Sequence, residues 1–264
     1  SDRNRTSPFA FTGNKFEFRM VGSSMSCAGP NLVLNTAVAE SLDEIATRLE
    51  KAKDVNAEVT AIIREVYKEN GKVVFNGNNY SAEWEKEAAK RGLPNIKNSV
   101  DAHKALVTDK AERILVKYGV LSKEELHSRY ELFVEQYSKV INIEANTAIR
   151  MVSTLFMPAA VKYASTLASS ITSVKAAGGS TESLEATLKT LSGLMDAADK
   201  KLKKVIEARE KASNIADAVK KAEAYRDYVF TAYTSLRDEI DMIETIVPSE
   251  MWPVPTYADL LFKL

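Results

Sequence analysis

Arg3, Arg5, Lys15 and Arg19 surround the carboxylate of Glu17 in the opening stretch of the chain. Lys15, Glu17 and Arg19 alternate with Phe16, Phe18 and Met20, a period-two pattern that predicts a strand with one wet face. On such a strand the three charged residues share a side. Arginine forks bind phosphate and carboxylate oxygens through paired hydrogen bonds. A carboxylate among them suits a hard divalent cation that also touches phosphate. The plain alternative is a Lys-Glu-Arg ladder on a solvated strand, which carries no chemistry.

The rest of the chain offers little of this kind. His103 and His127 fall on predicted helices without ligand-spaced partners, so packing or surface roles are expected, since metal sites need convergent ligands. Cys27, the single cysteine, has no nearby histidine and reads as a small packed residue. It excludes an internal disulfide framework and fits a reducing, cytoplasmic setting. Gly178-Gly179 lacks the Lys-Ser/Thr ending of a phosphate loop. The Lys200-Lys201-Leu202-Lys203-Lys204 run predicts a solvated helix face.

Acidic and basic residues balance at 36 each among 264, so no bulk field draws in nucleic acid or an anionic membrane. No apolar run reaches the roughly 20 residues of a membrane span. A signal-peptide pattern is absent, and the abrupt start in motif-like sequence suggests a boundary inside a longer protein.

Three textures position these residues. Around the charged strand, Phe9-Ala10-Phe11 is a second strand candidate, and Thr12-Gly13-Asn14 reads as the turn of a hairpin. A lone hairpin is marginal in water, which predicts a remnant of a larger sheet. Residues 31–120 read as helices with irregular breaks. An apolar stripe through Leu32, Val33, Val38, Ala39, Leu42, Ile45, Ala46 and Leu49 is followed after a gap at Asp54 to Asn56 by one through Val59, Ile62, Ile63, Val66 and Tyr67. Asn70-Gly71 predicts a left-handed stop, Lys72 to Phe75 a short strand and Asn76 to Asn79 a turn. Residues 121–247 are almost wholly helical. Ser122 and Glu125 form a capping box with Leu121 and Leu126 as its staple. The long helix that follows carries Tyr137, Ile141, Ile143 and Ile149, is expected to kink at Pro158, and stops at Gly178. A second carries Leu184, Leu191, Ala198, Leu202 and Val205; a third carries Tyr225, Val229, Leu236, Ile240 and Ile243 up to Pro248. Three such helices predict an antiparallel bundle, with the tail Met251-Trp252-Pro253-Val254-Pro255 packed down on it. The expected fold class is mainly α: an N-terminal β-hairpin remnant, short helices, then a long-helix bundle.

Asn4-Arg5-Thr6-Ser7-Pro8-Phe9 followed by Gly13-Asn14-Lys15-Phe16-Glu17-Phe18-Arg19 resembles the paired C-terminal motifs of the glutamine synthetase catalytic domain, in the version of the type III branch. Gly29-Pro30-Asn31-Leu32 is similar to the family segment that opens the next helix. The resemblance is detailed over residues 2–50; the helices and the Met251-Trp252-Pro253 tail look like the type III C-terminal extension. It implies residues 1–52 as the end of a catalytic domain and residues 53–264 as a helical C-terminal domain: short helices to 120, bundle over 121–247, tail over 248–264. It implies ATP-dependent ligation of ammonia to glutamate through γ-glutamyl phosphate, with ATP and Mg2+ or Mn2+ as cofactors of the whole enzyme. It gives Glu17 as a metal ligand, Arg5 and Arg19 as contacts to the transferring phosphoryl group and neighbouring oxygens, and Lys15 as a cation near the nucleotide. Type I enzymes place a second arginine where this chain has Ala10, so that role is not carried over. The family's other metal ligands and its glutamate-binding loop have no match here, so the polypeptide alone is expected to be inactive. The implied partners are the remaining regions of the same protein and further copies in a ring. A non-catalytic helical assembly module is the competing reading, and an independent scaffold with a coincidental motif is a third.

Overall fold

The computed structural model describes residues 9–11, 16–18, 26–74 and 81–262. Strands β1 (Phe9–Phe11) and β2 (Phe16–Phe18) pair antiparallel, with Ala10 opposite Glu17 in the ladder. The predicted turns at Thr12 to Asn14 and at Asn76 to Asn79 lie outside the described residues. The backbone divides into two compact units, residues 1–130 and 131–264.

In the first unit, α1 (Ala28–Glu50) tolerates Pro30 because a first-turn residue has no intrahelical donor role. Asp54 caps α2 (Val55–Asn70), its side chain accepting from the Ala57 amide at 3.1 Å. Two expectations fail immediately after α2. The helix stops at Asn70 as predicted, but Gly71 has φ −57° and is not left-handed. The chain winds on into a 3-10 turn at Gly71–Val73 instead of opening into a strand. The Arg91 guanidinium holds the turn from outside, donating to the carbonyls of Lys72 at 3.2 Å and Val74 at 2.9 Å. Then come α3 (Ala82–Lys90), α4 (Ser99–His103) with a 3-10 turn at Lys104–Val107, and α5 (Asp109–Lys117). A small core of Leu115, Leu121 and Leu126, backed by Leu32, Leu106 and Val120, joins the last of these to the start of α6 (Lys123–Met151). The capping box forms in full: Ser122 Oγ accepts from the Glu125 amide at 3.1 Å and Glu125 returns the bond to the Ser122 amide at 2.8 Å.

The apolar stripes of α1 and α2 are buried only in part. Val38, Leu42, Ile63 and Tyr67 are exposed, and the buried positions are Thr36, Glu40 and Ile62. These helices form as their periodicity predicts; Leu32 leans on the small core and Ile62 is buried, while Val38, Leu42, Ile63 and Tyr67 stay open.

The second unit holds the main core. Helix α6 passes through a π turn, Val152–Phe156, into α7 (Met157–Ala176). The irregularity falls just ahead of Pro158, where a kink was expected. The Met157 amide reaches back to the Val152 carbonyl, five residues away, and the proline falls in the first turn of α7, where its missing donor costs little. Gly178, at φ +81°, ends α7. Its amide bonds to the Lys175 carbonyl at 3.1 Å and that of Gly179 to Val174 at 2.9 Å, a Schellman cap. Helix α8 (Glu182–Ser213) returns, burying Leu191, Ala198, Leu202, Val205 and Ala212. Asp217 caps α9 (Ala218–Ala224), a second π turn spans Tyr225–Phe230, and α10 (Thr231–Glu244) completes the bundle. Helix α8 packs on both α7 and α10. Lys201 reaches from α8 to the Glu239 carboxylate at 2.7 Å and the Ser235 carbonyl at 3.0 Å on α10. The basic run is therefore not wholly solvated: Lys200, Lys203 and Lys204 are exposed, while Lys201 is tied inward. Ile143 is also misplaced by periodicity, lying 64 % exposed rather than in the core.

The tail packs down after Pro248. A 3-10 turn, Ser249–Met251, delivers Trp252, which is buried and stacks on Phe156 at 5.0 Å between centroids. A short helix α11 (Tyr257–Phe262) follows.

Candidate functional site

The N-terminal candidates fall unevenly on the structure. Arg5, Lys15 and Arg19 lie outside the described residues. Glu17 sits in β2, and its ladder partner Ala10 is the position where the resemblance departs from type I enzymes. Among the described residues, no three His, Cys, Asp or Glu side chains gather as metal ligands. Mg2+ asks for near-octahedral oxygen coordination and Mn2+ likewise prefers oxygen donors. The described residues therefore do not fit a catalytic metal pair.

Cys27 departs from expectation: it is exposed, just before α1, because no core element covers that end of the helix among the described residues. His127 meets Glu112 at 3.1 Å, beside Lys123 at 2.9 Å from the same carboxylate. The Lys123 ammonium, then the His127 contact, hold Glu112 below the usual carboxylate range. His103 is half-buried in character, and that burial lowers its basicity.

The densest polar cluster was not singled out by sequence. Glu40, buried on α1, receives the Lys117 ammonium at 2.7 Å, the Tyr118 hydroxyl at 2.7 Å and Arg113 at 3.2 Å. Lys117 also bonds Asp43 at 2.7 Å. The single Tyr118 proton can serve one carboxylate at a time, Glu40 at 2.7 Å or Asp43 at 3.0 Å. Hydrogen bonds from Lys117, then Tyr118, push both carboxyls below their ordinary values, while the two carboxylates hold Lys117 protonated. Both carboxylates share the Lys117 ammonium, so the cluster clamps α1 to the end of α5 and leaves no vacant base. An acidic residue one turn from Thr36 on an apolar stripe was the available signal; its partners are too distant in sequence to pair by eye.

In the second unit, Asn142 accepts from Arg209 at 3.3 Å and from the Tyr225 hydroxyl at 3.1 Å, and Tyr233 donates to Glu144 at 2.7 Å. These bonds fix the directions of the helices. The end of α8 meets the middle of α6, and α9–α10 climbs beside α6 in the same sense. Between α6 and α10 lies a cleft of about 500 Å³ with a mainly apolar lining. No described helix is long and apolar enough to cross a membrane.

Fold and clusters define a helical module whose bonded side chains mostly serve architecture, attached to a short strand pair. Residues 58–175 match the family model described as the glutamine synthetase C-terminal domain. Similarity to curated relatives runs over nearly the whole chain. It is 37% identical to the "Type-3 glutamine synthetase" of Dictyostelium discoideum across 99% of its length. It is 33% identical to a glutamine synthetase of Bacteroides fragilis across 99%, and 35% identical to one of Butyrivibrio fibrisolvens across 100%. The chain is thus similar to glutamine synthetases over nearly all of its length, and residues 58–175 match the C-terminal domain of that family. It spans only 37% to 38% of the length of these relatives.

Proposed function

We propose that this chain is the part of a type III glutamine synthetase that carries one edge of the active site and the helical extension behind it. The whole enzyme then joins ammonia to glutamate at the expense of ATP, through γ-glutamyl phosphate, with Mg2+ or Mn2+. The observation that carries this reading is similarity over 99% of the chain to a protein named type-3 glutamine synthetase, of which it spans 37%. In this reading Glu17 is one metal ligand, Arg5 and Arg19 neutralise charge on the transferring phosphoryl group, and Lys15 lies near the nucleotide. The pairing of β1 with β2 supports it, because so short a ladder needs further strands for stability. The remaining metal ligands would come from outside this chain, so no catalytic step is assigned to its residues alone. A domain boundary near residue 52 is supported by the break between α1 and α2 and by the family match beginning at residue 58. Cytoplasmic location and ring assembly belong to the same proposal.

The experiment compares the isolated chain with a whole enzyme containing it, supplied with glutamate, ATP, ammonia and Mg2+. The chain alone should show no turnover. Glu17→Ala in the whole enzyme should cost at least a hundredfold in kcat/KM, about 2.7 kcal/mol. Turnover by the chain alone, or an undiminished Glu17→Ala enzyme, rejects the assignment.

The assembly reading has its own support. Val38, Leu42, Ile63 and Tyr67 remain exposed on α1 and α2, apolar surface that a neighbouring domain or subunit would cover. The two readings are compatible, since the same chain can close an active site and pack against neighbours.

A further inference from the structure

The cleft between α6 and α10 has no role in the synthetase reading, and none of its residues belongs to the N-terminal edge. Its floor is apolar, with Ala148, Val152, Phe156, Leu236 and Ile240 among the lining residues, and Val254 and Pro255 of the tail contribute to its wall. At about 500 Å³ it falls in the size range of small-molecule sites. The polar groups of the lining are biased in sign. Its acids are Glu144, Asp241 and Glu244 and its cation is Arg237; Asp241 and Arg237 bond each other at 3.3 Å and Glu244 has a partner of its own, which leaves Glu144 as the acid that meets a ligand. Glu144 is oriented by the Tyr233 hydroxyl at 2.7 Å. Burial, then the Glu144 contact, raise the Tyr233 phenol above its ordinary value, so it remains a donor at neutral pH. One carboxylate oxygen of Glu144 is thereby held while the other can accept a ligand proton. Beside it, Ile143 leaves most of its side chain in water, an exposure that an occupant of the cleft would cover.

We propose that this cleft binds a small amphiphilic cation, an ammonium group on a compact apolar body. The body lies on the floor between the helices and the ammonium meets Glu144 at the mouth. The acidic lining disfavours an anion of the same shape, and the apolar floor disfavours a simple inorganic cation. Charge selects the sign of the ligand and the groove selects its size.

The test uses methyl NMR of the full chain with three probes of equal shape: 4-phenylbutylamine, 4-phenylbutan-1-ol and 4-phenylbutyrate. The amine should move the methyl signals of Ile143, Met151 and Ile240 saturably, with the alcohol weaker and the carboxylate at least tenfold weaker. Glu144→Gln should weaken the amine about fivefold or more and leave the alcohol unchanged. Ala148→Phe, which fills the groove, should abolish all three responses in a variant with an unchanged melting curve. If that variant fails to fold, the Glu144→Gln comparison decides alone. Equal affinity for the three probes overturns the proposal, as does a Glu144→Gln variant with unaltered amine binding. Concentration-dependent shifts of the same methyls without probe, showing a second copy in the cleft, also overturn it.

Discussion

Glu40 shows how a single acidic residue on an otherwise apolar stripe becomes a structural anchor. Its carboxyl, like that of Asp43, lies below the ordinary range because Lys117 and Tyr118 bond its charged form. A depressed folded-state pKa stabilises the fold above the unfolded value, near 4, and that contribution fades as pH falls through the folded value. Melting temperature should therefore drop below about pH 4, and the drop should be shallower in Glu40→Gln, as followed by circular dichroism from pH 6 to pH 2. Lys117→Met should lower the melting temperature at pH 7 more than Glu40→Gln does, because it leaves the buried Glu40 with only Arg113 as a cation among the described residues and takes the ammonium from Asp43 as well. Trp252 makes a different case. It is buried and stacked on Phe156, but its indole Nε1 finds no hydrogen-bond partner among the described residues. Trp252→Ala should cost about 3–5 kcal/mol, while Trp252→Phe should cost far less, since it removes an unsatisfied donor with the lost area. Urea denaturation distinguishes the two.

At the scale of elements, two glycines make opposite predictions. Gly178 needs φ +81°, and Gly179 would place a Cβ 2.7 Å from Val174 Cγ1. Gly193 lies within α8 with open space where a Cβ would be. Gly178→Ala should destabilise by about 1–2 kcal/mol, and Gly193→Ala should stabilise by about 0.5–1 kcal/mol. Denaturant midpoints read both. Much of this level was legible in the sequence. The capping box at Ser122, the stop at Gly178 and the α8 core from Leu184 to Val205 are local signals that tertiary structure did not override. The two π turns were not, because apolar spacing barely registers one extra residue inside a helix. The 3-10 turn at Gly71 was missed because Asn-Gly favours a left-handed stop only when nothing else bonds the chain, and here Arg91 holds its carbonyls. Lys201 was misread because a lysine with a long apolar stem can cross to a neighbouring helix while its neighbours stay solvated.

For the whole molecule, the candidate catalytic edge was legible only through the resemblance of residues 2–50; the charges of Lys15, Glu17 and Arg19 alone describe any wet strand. The Glu40 cluster and the α6–α10 cleft were illegible because each joins residues far apart in the chain. The exposed apolar side chains of α1 and α2 carry a prediction at this scale. The isolated chain should self-associate as concentration rises, and a Leu42→Glu, Ile63→Lys pair should suppress this without lowering the melting temperature. Sedimentation velocity supplies the measurement.

The π turns also bear on which changes of length the bundle can absorb. Each holds one more residue than an α-helical path between the same flanks would use. Removing Ser153 should let the turn relax to ordinary α geometry and leave Ala159, Ala160 and Leu167 facing the core. The same single deletion in the middle of α8 has no slack to draw on. It would rotate everything beyond it by about 100°, turning Leu202 and Val205 away from their neighbours. Tolerance to deletion should thus be uneven along this bundle, concentrated in two short segments beside Pro158 and ahead of Tyr233.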